Sequence, residues 1–288
     1  GLVGSEMCIR DRYISVMFLV ALVATTFGQG KNNKGKFYVY WGWNHAQYTK
    51  SDIQFKGDGY DFTLDNVAAH DRQTSFGIKY FNPSSMTIPQ YNFRLGYFVS
   101  DNWNISFGID HMKYVMDQDQ VVKMNGHINT GSDYDGTYNN VDQKLTEDFL
   151  TFEHTDGLNY ANLEVRRFDN IQHFPITKNG KGIDVNVTAG LGAGILYPRS
   201  NVKLMGNERY DEFHLAGFAT AAMVGINFTF WDYFFVQAEL KGGYANLSDI
   251  RTTANKADKA KQDIVFSQQN LVFGAIIPVF THKNKLNF

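Results

Sequence analysis

From Asp184 to Tyr197 the chain alternates without a break. Val185, Val187, Ala189, Leu191, Ala193, Ile195 and Tyr197 share one face, while Asn186, Thr188, Gly190, Gly192 and Gly194 share the other. A period of two is the mark of a strand whose faces meet different surroundings. The pattern recurs. Residues 36–45 set Phe37, Val39, Trp41 and Trp43 against Tyr38, Tyr40, Gly42 and Asn44. Residues 90–99 oppose Tyr91, Phe93, Leu95 and Tyr97 to Asn92, Arg94 and Gly96. After a turn at Ser100–Asn102, the next strand carries Trp103, Ile105, Phe107 and Ile109 on its apolar face. Beyond His111 the phase slips, which predicts a bulge or the strand leaving its layer. Further strands are predicted near 158–168, 218–230, 234–244 and 271–279. Pro278 fits the last one poorly, because it removes a ladder donor.

The connections sort by length. Strands two–three and six–seven join through very short turns, whereas 46–89, 117–157, 198–214 and 245–265 are long and polar. With both termini on one side, every long loop falls on the other. Alternating strands with this asymmetry predict an all-β fold, a closed antiparallel barrel crossing an outer membrane with its apolar face to lipid. Eight strands are expected. Segment 51–64, with Ile53, Phe55, Tyr60, Phe62 and Leu64, also reads as extended. It is either a strand continued above the membrane or one of an extra pair in a ten-stranded barrel. Trp103, Phe168, Phe230, Trp231, Tyr233, Phe234 and Phe235 crowd the short-turn ends, and Tyr48, Tyr91, Tyr114, Tyr160, Tyr197 and Tyr244 the long-loop ends. Two such bands predict interfacial girdles. A soluble lipocalin-type barrel, apolar face inward, leaves both bands unexplained.

Composition narrows the picture further. A formal charge of -2 argues against nucleic-acid binding. After the N-terminus no apolar run reaches the ~18–20 residues of a membrane helix. Residues 1–28 are expected to form a signal-peptide region, with an apolar run at Ile14–Ala24 and small residues Thr26 and Gly28 before Gln29. Within it, residues 1–12 lack an initiator Met and read as a non-native leader. Cys8 lies there, so the exported domain, residues 29–288, carries no thiol.

On these strands and this Tyr/Phe/Asn-rich composition, the chain resembles the eight-stranded outer-membrane β-barrels of Gram-negative bacteria, Bacteroidetes barrels in particular. The resemblance implies a monomer surrounded by outer-membrane lipid and lipopolysaccharide and inserted by the barrel assembly machinery. It also implies a C-terminal aromatic signal, which Phe288 matches, although the polar stretch Thr281–Lys285 separates it from the last strand.

Arg94, Asp110, Glu164, Arg166, Glu239 and Lys241 all fall on the glycine-bearing face and are expected in the lumen. Such charges either plug a narrow barrel as a mutually satisfied network or line a pore. Plugging is the expectation. Catalysis needs a base within reach of a nucleophile. Neither His45, His111, His154 nor His214 is marked as part of such a pair, and Asp110 and His111 point to opposite faces. Asn246–Asp249 only echoes the His-x-Ser-Asn pattern of lipid A deacylases, without the His. Asp133-Tyr-Asp-Gly136 resembles a calcium loop whose first ligand position, Gly131, offers no carboxylate. The sequence thus predicts no catalytic, cofactor or metal site. The expected role is non-catalytic: envelope integrity, surface interaction or passage of a small hydrophobic ligand. The alternative is an enzyme acting on lipid A or phospholipid acyl chains.

Overall fold

The computed structural model describes residues 31–75, 77–80, 82 and 89–278. The expected signal region at 1–28, Cys8, Val279 and Phe288 lie outside the described residues. Among those described are seventeen strands, β1 to β17 in chain order. Eight of them form a ring: β1 (Lys36–Tyr48), β5 (Tyr91–Phe98), β6 (Trp103–Met112), β11 (Leu158–Pro175), β12 (Gly182–Leu196), β15 (Gly217–Phe230), β16 (Phe234–Arg251) and β17 (Lys259–Pro278). Each pairs antiparallel with the next, and β17 pairs with β1. Directly opposed partners can be followed around the circuit: Tyr48, Phe266, Gly243, Ala221, Gly192, Glu164, Ser106, Gly96 and then Tyr38. The path returns to β1 ten residues from where it left. Such a stagger, at ~3.3 Å per residue and ~4.8 Å between strands, tilts the strands by roughly 40°.

The other strands stand at the long-loop end. From residues Lys259–Gln262 of β17 the ladder continues through β2 (Ser51–Gly57), β3 (Tyr60–Val67), β8 (Val121–Ile128) and β9 (Gly136–Lys144). A second sheet runs in the order β14 (Tyr210–Phe213), β13 (Arg199–Leu204), β10 (Leu150–Glu153), β7 (Val115–Met116) and β4 (Ala69–His70). Both turn apolar residues onto one core, including Phe55, Phe62, Tyr114, Phe149, Phe152 and Val202, which caps the ring. This corrects the expectation of polar loops at 46–89, 117–157, 198–214 and 245–265. Those segments hold strands with an inward apolar face, and β16 and β17 themselves run far into the last of them. Segment 51–64 is a hairpin of the cap.

One strand shows why. Along β17 the buried residues are Ala260, Gln262, Ile264 and Phe266, then Gln268 and Asn270, then Val272 and Ile276. The alternate, outward residues run Lys261 and Asp263, then Leu271, Phe273 and Ile277. Near the cap the inner face is apolar apart from Gln262, which bonds Ser51 and Tyr114, and the outer face is polar up to Val265. Lower down, where Leu271 and Phe273 face out, the middle of its inner face is polar. β16 repeats this, with buried Gln237, Glu239 and Lys241 giving way to Ala245, Leu247 and Ile250. The outer surface of the lower ring is a belt of Leu95, Ile105, Phe107, Leu163, Leu191, Ile226 and Leu240, all exposed.

The girdles are thinner than expected. Trp103, Trp231, Tyr233 and Phe234 are exposed at the short-turn end, as are Tyr197 and Tyr244 near the other. Phe168 and Phe235, by contrast, are buried in a lower inner cluster, and Tyr114 and Tyr160 in the cap core. Their parity along the strand, inward in both cases, decides this over their position at strand ends. The phase slip beyond His111 is the end of β6: Asp110 turns into the lumen while His111 stacks on Tyr91. Pro278 occupies the last described position of β17, where little of the ladder remains to be lost.

Candidate functional site

The structure brings the six charged residues of the glycine-bearing face into one network, all of them buried. Glu164 is its hub. It accepts from Arg94 Nη2 at 2.8 Å, Lys241 Nζ at 2.8 Å and Arg166 Nε at 2.6 Å. Arg166 Nη1 donates to Glu239 at 2.7 Å, and Lys241 to Asp110 at 2.5 Å. Three cations face three carboxylates, so the layer carries no net charge. Uncharged residues complete it. The Tyr40 hydroxyl accepts from both Arg94 Nε and Arg166 Nη2 at 3.0 Å. Ser106 and Asn162 accept from Arg94, and Asn92 donates to Asp110. Buried charges are tolerated where partners satisfy them in this way. Tyr40, Asn92, Ser106 and Asn162 were not singled out from sequence. Their signal was the shared parity with the charged set.

Glycine makes the space. A Cβ on Gly192 would lie 2.4 Å from Glu164 Cγ, one on Gly190 2.7 Å from Arg166 Cγ, and one on Gly108 2.6 Å from Arg94 Cζ. The small residues across the ladder therefore set aside room for the long charged ones.

The lumen is filled at every level. Above the ion layer lie Tyr160, Phe266 and the cap core. Below it Tyr38, Phe98, Phe168, Phe235 and Ile276 pack together, leaving a cavity of about 20 Å³, room for about one water molecule. At the short-turn mouth Lys31 bonds to Asp184 and, at 3.2 Å, to Asp232, which draws the N-terminal segment across the opening.

Among the described residues the histidines do not assemble a pair with a nucleophile. His45 Nδ1 meets Asp71 at 2.8 Å, His111 Nδ1 meets Asn159 at 2.8 Å, and His214 Nε2 meets Asp249 at 2.9 Å. Among the described residues no imidazole bonds a serine or threonine hydroxyl. His154 is wholly buried between Tyr114 and Phe152 with neither ring nitrogen partnered, and burial pushes its pKa down to about 3. In the acidic loop, the Asp135 carboxylate accepts from the backbone of Thr130, Gly131 and Ser132, so it serves its own turn. No group among the described residues could hold a metal ion.

No family model and no curated protein matches the chain. Solved structures do align. The outer membrane protein OprG from Pseudomonas aeruginosa shares 12% identity over 86% of this chain and 98% of its own, with a TM-score of 0.38. The outer membrane protein AlkL in DMPC lipid bilayers shares 12% over 91% and 98%, with a TM-score of 0.38. Ail, the attachment invasion locus protein of Yersinia pestis, shares 11% over 85% and 99%, with a TM-score of 0.35. Likenesses this loose do not define function, which has to be read from the chain's own geometry.

Proposed function

We propose that the chain is an outer-membrane β-barrel of eight strands with a non-catalytic role, holding a rigid β-structured cap at the cell surface for interaction. The observation that carries this reading is the inversion along β16 and β17: in the ring a polar middle layer lies inside an apolar outer face, and in the cap the inner face is mainly apolar and the outer mainly polar. A belt of exposed Leu, Ile and Phe is stable against hydrocarbon and costly against water. The asymmetry of turns then puts the cap outside the cell and the Lys36 and Pro278 ends of the ring on the periplasmic side. A filled lumen favours interaction over ligand passage. The cap ends on β9, which pairs with β8 on one side and, among the described residues, with nothing on the other. An open edge of this kind accepts an added strand.

The same reading makes lipid and lipopolysaccharide its surroundings and a monomer its form, with insertion by the barrel assembly machinery. The test places a cysteine at Val141 on β9. An impermeant maleimide is expected to label it on intact cells, and absence of labelling until the cells are lysed counts against the assignment. The enzymatic reading is favoured only by the His214–Asp249 pair beside Ser248. Mass spectrometry of lipid A and phospholipid with and without the protein decides it, an unchanged profile being expected.

A further inference from the structure

The β11–β12 hairpin outruns the rest of the ring at the short-turn end. β11 loses its neighbour β6 at Arg167, opposite Trp103, yet continues to Pro175 paired with β12 alone. Its tip is ordered: Ile176 and Thr177 backbone amides both donate to Lys181, and the His173 ring bridges Asp184 and the Gly180 carbonyl. Beyond Gln172 its outward side is apolar. Phe174 is opposite Ile183, Ile183 opposite Phe230, and Phe230 opposite Phe234, so these four stand in one row across the ladder. Through Val185 and Val187 on β12 and Phe228 and Ile226 on β15 the row joins the lipid-facing belt, whereas on β11 Arg167, Asp169 and Gln172 hold the outward positions between Val165 and Phe174. Phe174 is 52% exposed and Ile176 61%, alongside exposed Ile171, Trp231 and Tyr233. The tip, Thr177-Lys-Asn-Gly-Lys181, holds two lysines and no acid. Lys181 Nζ sits 5.5 Å from the Tyr233 ring, at the level of the aromatic girdle.

We propose that this hairpin is a foot on the periplasmic leaflet. Its apolar row enters the interfacial region, and Lys178 and Lys181 meet the phosphates of anionic phospholipid headgroups. Continuity with the belt along β12 and β15 argues for lipid as the occupant, since Ile183, Val185 and Val187 and their partners Phe230, Phe228 and Ile226 form one apolar surface with it. The charge of the tip selects anionic over zwitterionic lipid. This inference rests on the membrane reading above.

The test uses the full chain with Cys8→Ser and Ile176→Cys, labelled with an environment-sensitive fluorophore. The protein is reconstituted into vesicles of phosphatidylcholine, alone or with a third of phosphatidylglycerol. Quenching by lipids brominated high in the acyl chain is expected, stronger with phosphatidylglycerol. Lys178→Glu with Lys181→Glu should lower the membrane-docked equilibrium by at least about thirtyfold. A label quenched equally by aqueous iodide in both vesicles overturns the proposal. So does protection that ignores lipid charge and grows with the protein-to-lipid ratio, which would assign the row to a second copy. Failure of the protein to float with vesicles at all sinks the membrane reading instead, and is told apart by that. Should the labelled variant not fold, hydrogen exchange at residues 174–181 of the native chain gives the same readout. Slower exchange with phosphatidylglycerol supports the foot, and no difference overturns it.

Discussion

Glu164 accepts from three separate cations, and no other carboxylate of the lumen takes more than two of them. Neutralising it leaves Arg94, Arg166 and Lys241 facing only Asp110 and Glu239 in a buried site. Breaking a buried charge pair from one side costs about 3–5 kcal/mol. Glu164→Gln, nearly isosteric, is therefore expected to lower stability by that amount in urea unfolding of the vesicle-inserted protein; a loss below about 1 kcal/mol would show that the layer contributes little. Gly192→Ala tests the same layer sterically, since its Cβ would press on Glu164 Cγ and on the Leu163 carbonyl oxygen. It is expected to slow folding and destabilise, measured alongside Thr188→Ala as a control on the same face. Alternation along single strands was enough to tell that these residues look inward. It could not tell that Arg94, Glu164, Arg166 and Lys241 meet, because they come from β5, β11 and β16. Their common level is set by the ten-residue stagger of the ring, a property of the closed ladder that no one strand contains.

At the scale of elements, strand positions were legible wherever one face stayed apolar, and strand lengths were not. β16 reads as ending near Tyr244 and β17 as beginning near Leu271, yet they run to Arg251 and from Lys259. The missing halves are where the apolar residues change sides, so a search for one constant greasy face stops where the outer belt ends. The same blind spot hid the cap. Phe152, fully buried there, is expected to cost about 3–5 kcal/mol when cut to alanine. The loss should appear as faster exchange and proteolysis of β8, β9 and β10 with the ring unaffected. His154 gives the cap a pH dependence. Its imidazole is held neutral, with a folded pKa near 3 against an ordinary value of 6.5. Below 6.5 the opened cap binds a proton that the closed cap refuses, so stability falls as pH falls and is flat above that point. The slope is about 1.4 kcal/mol per pH unit, ending near the folded pKa. Exchange of the cap amides between pH 4 and 7 should show this slope in the native protein and lose it in His154→Phe.

For the whole molecule, the decisive property is that its obstructions lie in series. An ion crossing the ring would have to pass the apolar cap core, the six-residue charge layer, the aromatic cluster of Tyr38, Phe98, Phe168 and Phe235, and the Lys31 contacts at the mouth. Each is held by different forces, so no single substitution opens them together. Phe152→Ala loosens the cap but leaves the charge layer intact, and Glu164→Gln disturbs the layer beneath an intact cap. Eight-stranded barrels have an interior just wide enough for side chains, and here side chains occupy it. Planar-bilayer recordings are accordingly expected to show no stepwise conductance from the native protein or from either variant. A steady open channel from the native chain would mean that the interior rearranges in the bilayer, and would return passage through the lumen to first place over surface interaction.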